Sequence, residues 1–200
     1  LLEEALVQTD MKDLDRAKAL YHLSYQYLIL NNFTEANRFN KQSLHINRTI
    51  SSADTVRNFM RFGTIHLEGR NYEQALQYYF KAKACQPKDK KIKALLHGYL
   101  ANCYTHLNQK KKAEFHHQKA IDNLIVRNSI NDGDVSTAIY NKGVFYLNKR
   151  GYFKAERCFL RCLDIEKNVD FSNKNPRLAK IYNALGVLIF ELDRDKEAAL

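Results

Sequence analysis

Asn58-Phe59-Met60-Arg61-Phe62-Gly63-Thr64-Ile65-His66, followed after a short break by Asn71-Tyr72-Glu73-Gln74-Ala75, is the stretch whose reading decides the fold. Apolar residues recur at helical spacing on both sides of the break, and each half carries one small residue, Gly63 or Ala75, within its apolar stripe. A small side chain on such a face lets a second helix approach closely, while aromatic neighbours fill the grooves on either side. The stretch reads as two paired helices packed at Gly63 and Ala75.

Working outward, the same pairing returns at the same offset: Ser24 with Ala36, Ala101 with Ala113, Gly143 with Ala155 and Gly186 with Ala198. Aromatic residues stand three places before the alanine as Phe33, Tyr72 and Tyr152, whereas Lys110 and Asp195 depart from the pattern. A further small residue follows seven places after the alanine, as Ser43, Ala82, Ala120 and Cys162, and Pro87 closes the second unit. This pattern resembles the tetratricopeptide repeat over nearly the whole chain. The resemblance implies an all-α fold: a superhelical solenoid of antiparallel helix hairpins, a right-handed α–α superhelix. One hairpin cannot bury its apolar face alone, so neighbours stack to complete the core and leave a long inner surface for binding.

The expected repeats span 17–50, 56–89, 94–127, 136–169 and an incomplete 179–200, with 1–16 closing a preceding hairpin, all in one solenoid of a longer protein. First helices are predicted at 17–30, 54–68, 91–107, 134–149 and 177–192, and second helices at 33–48, 72–86, 110–127, 152–167 and from 194 onward. Each repeat step exceeds the ~34 residues of the standard unit. The surplus is expected between hairpins, at Ser51-Ser52-Ala53-Asp54, Asn131-Asp132-Gly133-Asp134 and Phe171-Ser172-Asn173-Lys174-Asn175. Long units of this kind are similar to those of bacterial regulatory and signalling tetratricopeptide proteins. Asn32-Phe33-Thr34-Glu35 and Asn71-Tyr72-Glu73-Gln74 read as capping boxes, and Asn175-Pro176 as a helix start.

Composition agrees with helix: only two prolines and seven glycines in 200 residues argue against a turn-rich β architecture, and 45% hydrophobic content argues against disorder. No apolar run approaches the ~20 residues that cross a bilayer, and the N-terminus lacks the order of a signal peptide. Cys85, Cys103, Cys158 and Cys162 form no C-x-x-C pair, so a reducing cytoplasm is the expected home. The triplets Asn32-Phe33-Thr34 and Asn47-Arg48-Thr49 match a glycosylation pattern that arises often by chance.

In the family resembled, first helices line the groove, which implies a ligand face made of Lys18, Tyr21, His22 and Tyr25, then Arg57, Met60, Arg61 and Thr64. Tyr99 and Asn102 follow beside the space left by Gly98, then Thr137, Tyr140 and Asn141, and finally Lys180 and Asn183. Tyrosine faces, amides and cations with few carboxylates suit an extended peptide, and Arg57 with Arg61 would grip an acidic group or C-terminal carboxylate. Asn141 also stands where the repeat itself favours asparagine, and some of the tyrosines read equally as packing.

A net charge of +10, with clusters at Lys88-Asp89-Lys90-Lys91-Ile92-Lys93, Lys110-Lys111-Lys112 and Lys149-Arg150, raises an RNA-binding alternative. The clusters fall at helix ends and turns, where solvated lysines are ordinary. His116 and His117 are adjacent and point apart, and Cys158 and Cys162 read as core sulfur, so neither metal nor cofactor is expected. No nucleophile–base set or phosphate loop is recognisable, so the chain is not expected to be an enzyme. It reads as a protein- or peptide-binding scaffold or receptor module of a regulatory protein, or as a recognition module beside a kinase or protease domain outside these residues.

Overall fold

The computed structural model describes residues 12–125, 133–169 and 175–197, and among them every regular element is helical. The helices are α1 (Asp13–Ile29), α2 (Phe33–Ile50), α3 (Ser52–Glu68), α4 (Tyr72–Ala84), α5 (Lys90–His106), α6 (Lys110–Leu124), α7 (Gly133–Asn148), α8 (Tyr152–Val169) and α9 (Pro176–Glu197). The chain divides into two compact units, Leu1–Gln109 and Lys110–Leu200. In the first, each helix from α1 to α5 packs on the next, and the first helices α1, α3 and α5 are neighbours in turn. In the second, α6 packs on α7, α7 on α8 and α8 on α9, with α7 beside α9.

The small-residue pattern is explained at atomic detail within hairpins. A Cβ on Gly63 would lie 2.4 Å from the Tyr79 ring, and one on Gly143 would lie 2.6 Å from the Phe159 ring, so each glycine is the seat of an aromatic from the second helix. Ser24 Oγ donates instead to the Ala36 carbonyl at 2.8 Å. Residues seven places after the alanine clamp the other end of the hairpin: Ser43 Oγ donates to the Ala17 carbonyl at 2.8 Å, and Cys162 Sγ to the Ser136 carbonyl at 3.3 Å.

Four turns share one geometry. Asn31, Arg70, Asn108 and Arg150 all take positive φ, between 55° and 59°. The next residue's N–H then reaches back to the carbonyl of Tyr27, His66, Tyr104 or Tyr146, which is the Schellman arrangement that satisfies helix-end carbonyls.

Several expected boundaries change. Residues 13–16 belong to α1, not to a preceding hairpin, because Asp13 and Asp15 occupy a first turn that favours acidic groups. Residues 1–11 lie outside the described residues. The surplus at Ser51–Asp54 is not a loop: Ser51 alone separates α2 from α3, accepting from the Asp54 N–H and donating to its carboxylate. The surplus at 131–132 and 171–174 lies outside the described residues. Asn32 caps α2 through the Glu35 N–H as expected, but Asn71 makes no side-chain cap bond. Asn175 Oδ1 accepts from the Arg177 N–H at the start of α9.

The largest correction is at the end of the described chain, where a turn was expected near 193 and α9 instead continues to Glu197. Leu192-Asp193-Arg194-Asp195 holds no glycine or proline, and Arg194 pairs with Glu191 along the helix. Among the described residues, nothing outside its own stretch of helix stands within 4 Å of a Cβ built on Gly186, where a turn in this register would seat a second helix.

Candidate binding surface

In the first unit, Tyr21 and Tyr25 are one turn apart on α1 and Arg61 reaches them from α3, its guanidinium 4.6 Å from the Tyr21 ring centre and 4.7 Å from that of Tyr25. His22 meets the Tyr21 ring edge-on, and Tyr25 stays 44% exposed, so the cage opens to solvent. Arg61 forms no ion pair with any described residue, and its Nε is buried without a hydrogen-bond partner. A guanidinium held between two π-faces keeps its charge while losing little freedom on meeting an anion.

Other residues of the expected groove separate into exposed and packed. Lys18 and Arg57 are exposed, but Arg57 is bonded to Asp54 at 2.7 Å and so does not join Arg61 as a free second cation. Met60 is not on the face at all. At 8% exposure it packs in the core with Val56, Tyr79 and Leu100, because it stands one turn before Gly63 on the face of α3 that meets the Tyr79 ring. Thr64 bonds to the Met60 carbonyl and to the Tyr79 hydroxyl, and Tyr99 lies flat on Tyr79 with ring centres 5.1 Å apart. Both are packing residues. Asn102 is exposed and, with Glu68, Arg70, Tyr72 and His106, lines a shallow cleft of about 260 Å³. The space beside Gly98 is open.

In the second unit Tyr140 is half-buried against Phe159, Thr137 donates to the Gly133 carbonyl, and Asn141, Lys180 and Asn183 are exposed. A roomier cleft of about 770 Å³ lies elsewhere, on the first hairpin beside Leu20, Phe39 and Ile46, and none of the expected groove residues lines it. Among the described residues no group of three or more His, Cys, Asp or Glu could hold a metal ion. His116 and His117 are both buried, against Phe115 and Phe145 respectively. Burial holds the His117 imidazole down at about 4, helped by the Lys142 charge. Cys162 is core sulfur as expected, its thiol pushed up to about 12 by burial. Cys158 is only half-buried and lines a basic cleft with Lys142, Lys154, Arg157 and Arg161.

Sequence reasoning missed that cleft. Its signal was the spacing Lys154, Arg157, Arg161 along one helix face.

No protein-family model matches the sequence, and no curated protein does. Solved structures do match. The apo form of RapI aligns at 18% identity and a TM-score of 0.70, covering 94% of this chain and 74% of that one. BtubC (BKLC) from P. vanneervenii aligns at 15% identity and 0.74, covering 99% and 87%, and the MamA RS-1 ArsTM double mutant at 19% and 0.60, covering 86% and 88%. These are tetratricopeptide-type helical repeat proteins. The fold is of the tetratricopeptide type. Within it, the positions that aligned as Gly63 with Ala75 and Gly143 with Ala155 are the helix crossings of tetratricopeptide hairpins, and the Arg61 cage lies on first helices. Among the described residues, no helix is long and apolar enough to cross a membrane.

Proposed function

We propose that the chain is a protein- or peptide-binding module, not a catalyst, and that it serves as the interaction or sensory part of a larger regulatory protein in the cytoplasm. The observation that carries this reading is the Arg61 cage: a cation without an acidic partner among the described residues, braced by Tyr21 and Tyr25 on the first-helix face. Its ligand is an extended segment bearing an acidic side chain or a C-terminal carboxylate, since a guanidinium forks two N–H donors onto a carboxylate. His22 and Tyr25 supply exposed ring area beside that charge. The tetratricopeptide fold supports the same reading in general terms, because stacked hairpins present long continuous surfaces.

The test is co-purification from extract of the source cell with wild-type chain and Arg61→Ala side by side, with and without nuclease. A discrete protein retained by the wild type, resistant to nuclease and weakened by about tenfold or more in Arg61→Ala supports the assignment. Equal retention by both chains sinks this site, and nuclease-sensitive, salt-labile material would favour RNA binding instead.

A further inference from the structure

The second unit holds a basic cleft that the reading above does not use. Lys154, Arg157 and Arg161 of α8, with Lys142 of α7, surround a space of about 300 Å³ whose floor includes Ile121 and Ile139, each 2% exposed. Tyr146 forms one wall, with the Lys154 ammonium 5.1 Å and the Lys142 ammonium 5.7 Å from its ring centre. Two carboxylates beside this cleft are already engaged: Glu114 Oε1 accepts from the Tyr146 hydroxyl at 2.5 Å and from Lys154 at 3.1 Å, and Asp122 accepts from the Gln118 amide at 2.7 Å. Lys142 donates to the neutral Gln118 amide at 2.6 Å, and Arg157 rests over the Phe153 ring at 5.9 Å.

Among the described residues, Arg157 and Arg161 form no ion pair with a carboxylate, and Lys142, bonded to Gln118, acts on Glu114 only through its charge. They converge: all three line the one cleft, with Cys158 on its wall. Like charges one helical turn apart repel, so the arrangement gains most from an anion placed between them. Two guanidinium groups without an ion-pair partner, with Lys142 beside them, exceed what a single carboxylate neutralises, and their forks match the oxygens of a dianion.

We propose that this cleft is an oxyanion site for a phosphoryl group, gripped by Arg157 and Arg161 with Lys142 opposite. The ligand is a free phosphate compound or a phosphorylated side chain of a partner protein, which share this chemistry. The site is in a different unit from the Arg61 cage and stands or falls independently of it.

The test titrates the 200-residue chain at low ionic strength with inorganic pyrophosphate and, separately, with a phosphoserine peptide and its unphosphorylated counterpart. Calorimetry gives the affinity, and the rate of N-ethylmaleimide labelling at Cys158 gives the location, with exposed Cys85 as internal control. We expect saturable binding that slows labelling of Cys158 but not of Cys85, and that weakens about tenfold or more in Arg157→Ala/Arg161→Ala. Both arginines are exposed, so the double variant should melt as the wild type does; the single variant Lys142→Gln gives a second reading should it not. Tighter binding of pyrophosphate identifies a free phosphate compound, and tighter binding of the phosphopeptide identifies a modified partner. Non-saturable binding, unprotected Cys158, or an equal loss in the α5 variant Lys90→Ala/Lys93→Ala would overturn the proposal.

Discussion

Asn40 and Tyr79 hold the same place in successive hairpins, four residues after the repeat alanine, and both are fully buried, yet they join their hairpins to the next one by opposite chemistry. Asn40 Nδ2 donates to the Asn58 carbonyl at 2.9 Å and receives the Asn58 side chain at 2.8 Å. Asn58 also donates to Ser43 at 3.0 Å and accepts from Asn47 at 2.7 Å, so α2 and α3 are joined by a buried amide ladder. Tyr79 instead seats its ring on Gly63, stacks on Tyr99 and packs with Leu96, Leu100 and Cys103, so α4 and α5 are joined by apolar contact. The apolar junction depends on shape, and volume changes are felt there. The amide junction depends on pairing, in which Asn47 Oδ1 alone of the ladder's side-chain atoms has no partner among the described residues, and removing Asn58 strands further groups.

That contrast is open to experiment. Gly63→Leu should cost most, about 3 kcal/mol or more in denaturant unfolding, because any Cβ at that place meets the Tyr79 ring and the helices must separate. A melt like the wild type's would mean that the crossing is slack. Asn58→Ala should cost about 2–3 kcal/mol, since it leaves Asn40 and Asn47 buried with lost partners. A cost below about 0.5 kcal/mol would show that the ladder is replaceable by packing.

His117 holds the equivalent place in the second unit, 2% exposed and with Nε2 unpartnered, so there a polar residue is buried without a ladder. Its folded-state value of about 4 lies below the ordinary 6.5, so the unfolded chain binds the proton more readily. The stability contributed by neutral His117 is complete above pH 6.5 and is lost as pH falls toward 4, on the order of 2 kcal/mol. His117→Leu should remove that part of the acid slope, and an unchanged slope between pH 6.5 and 4 would refute the assignment. The smallest effect belongs to the turns: Asn31 serves the amide-joined hairpin and Arg70 the tyrosine-joined one, both at positive φ. Arg70→Gly should stabilise by about 0.5–1 kcal/mol and Asn31→Gly by less, because asparagine tolerates that conformation better than arginine.

The hairpins were legible because their cause is local. Gly63, Ala75, Gly143 and Ala155 are small where two adjacent helices touch, and adjacent helices lie within one short stretch of sequence. The candidate site was legible only in part. Tyr21, Tyr25 and Arg61 were named from the family resemblance together with helical phase, but neither separated Arg61, braced between two rings, from Arg57, bonded to Asp54, or from Met60, turned into the core.

The sequence by itself determined the helical hairpins, their small-residue crossings and most helix limits, since periodicity and residue size act between neighbours along the chain. Only the tertiary structure decided that Asn40, Ser43, Asn47 and Asn58 close into a ladder, that Arg61 lies between two rings while Arg57 pairs with Asp54, and that Lys142 joins Arg157 and Arg161 at one cleft. It also decided that α9 runs on where a turn was expected. In each case the outcome rests on which polar group or helix face meets which partner from another element, and that pairing is fixed by three-dimensional packing and desolvation rather than by any spacing along the chain.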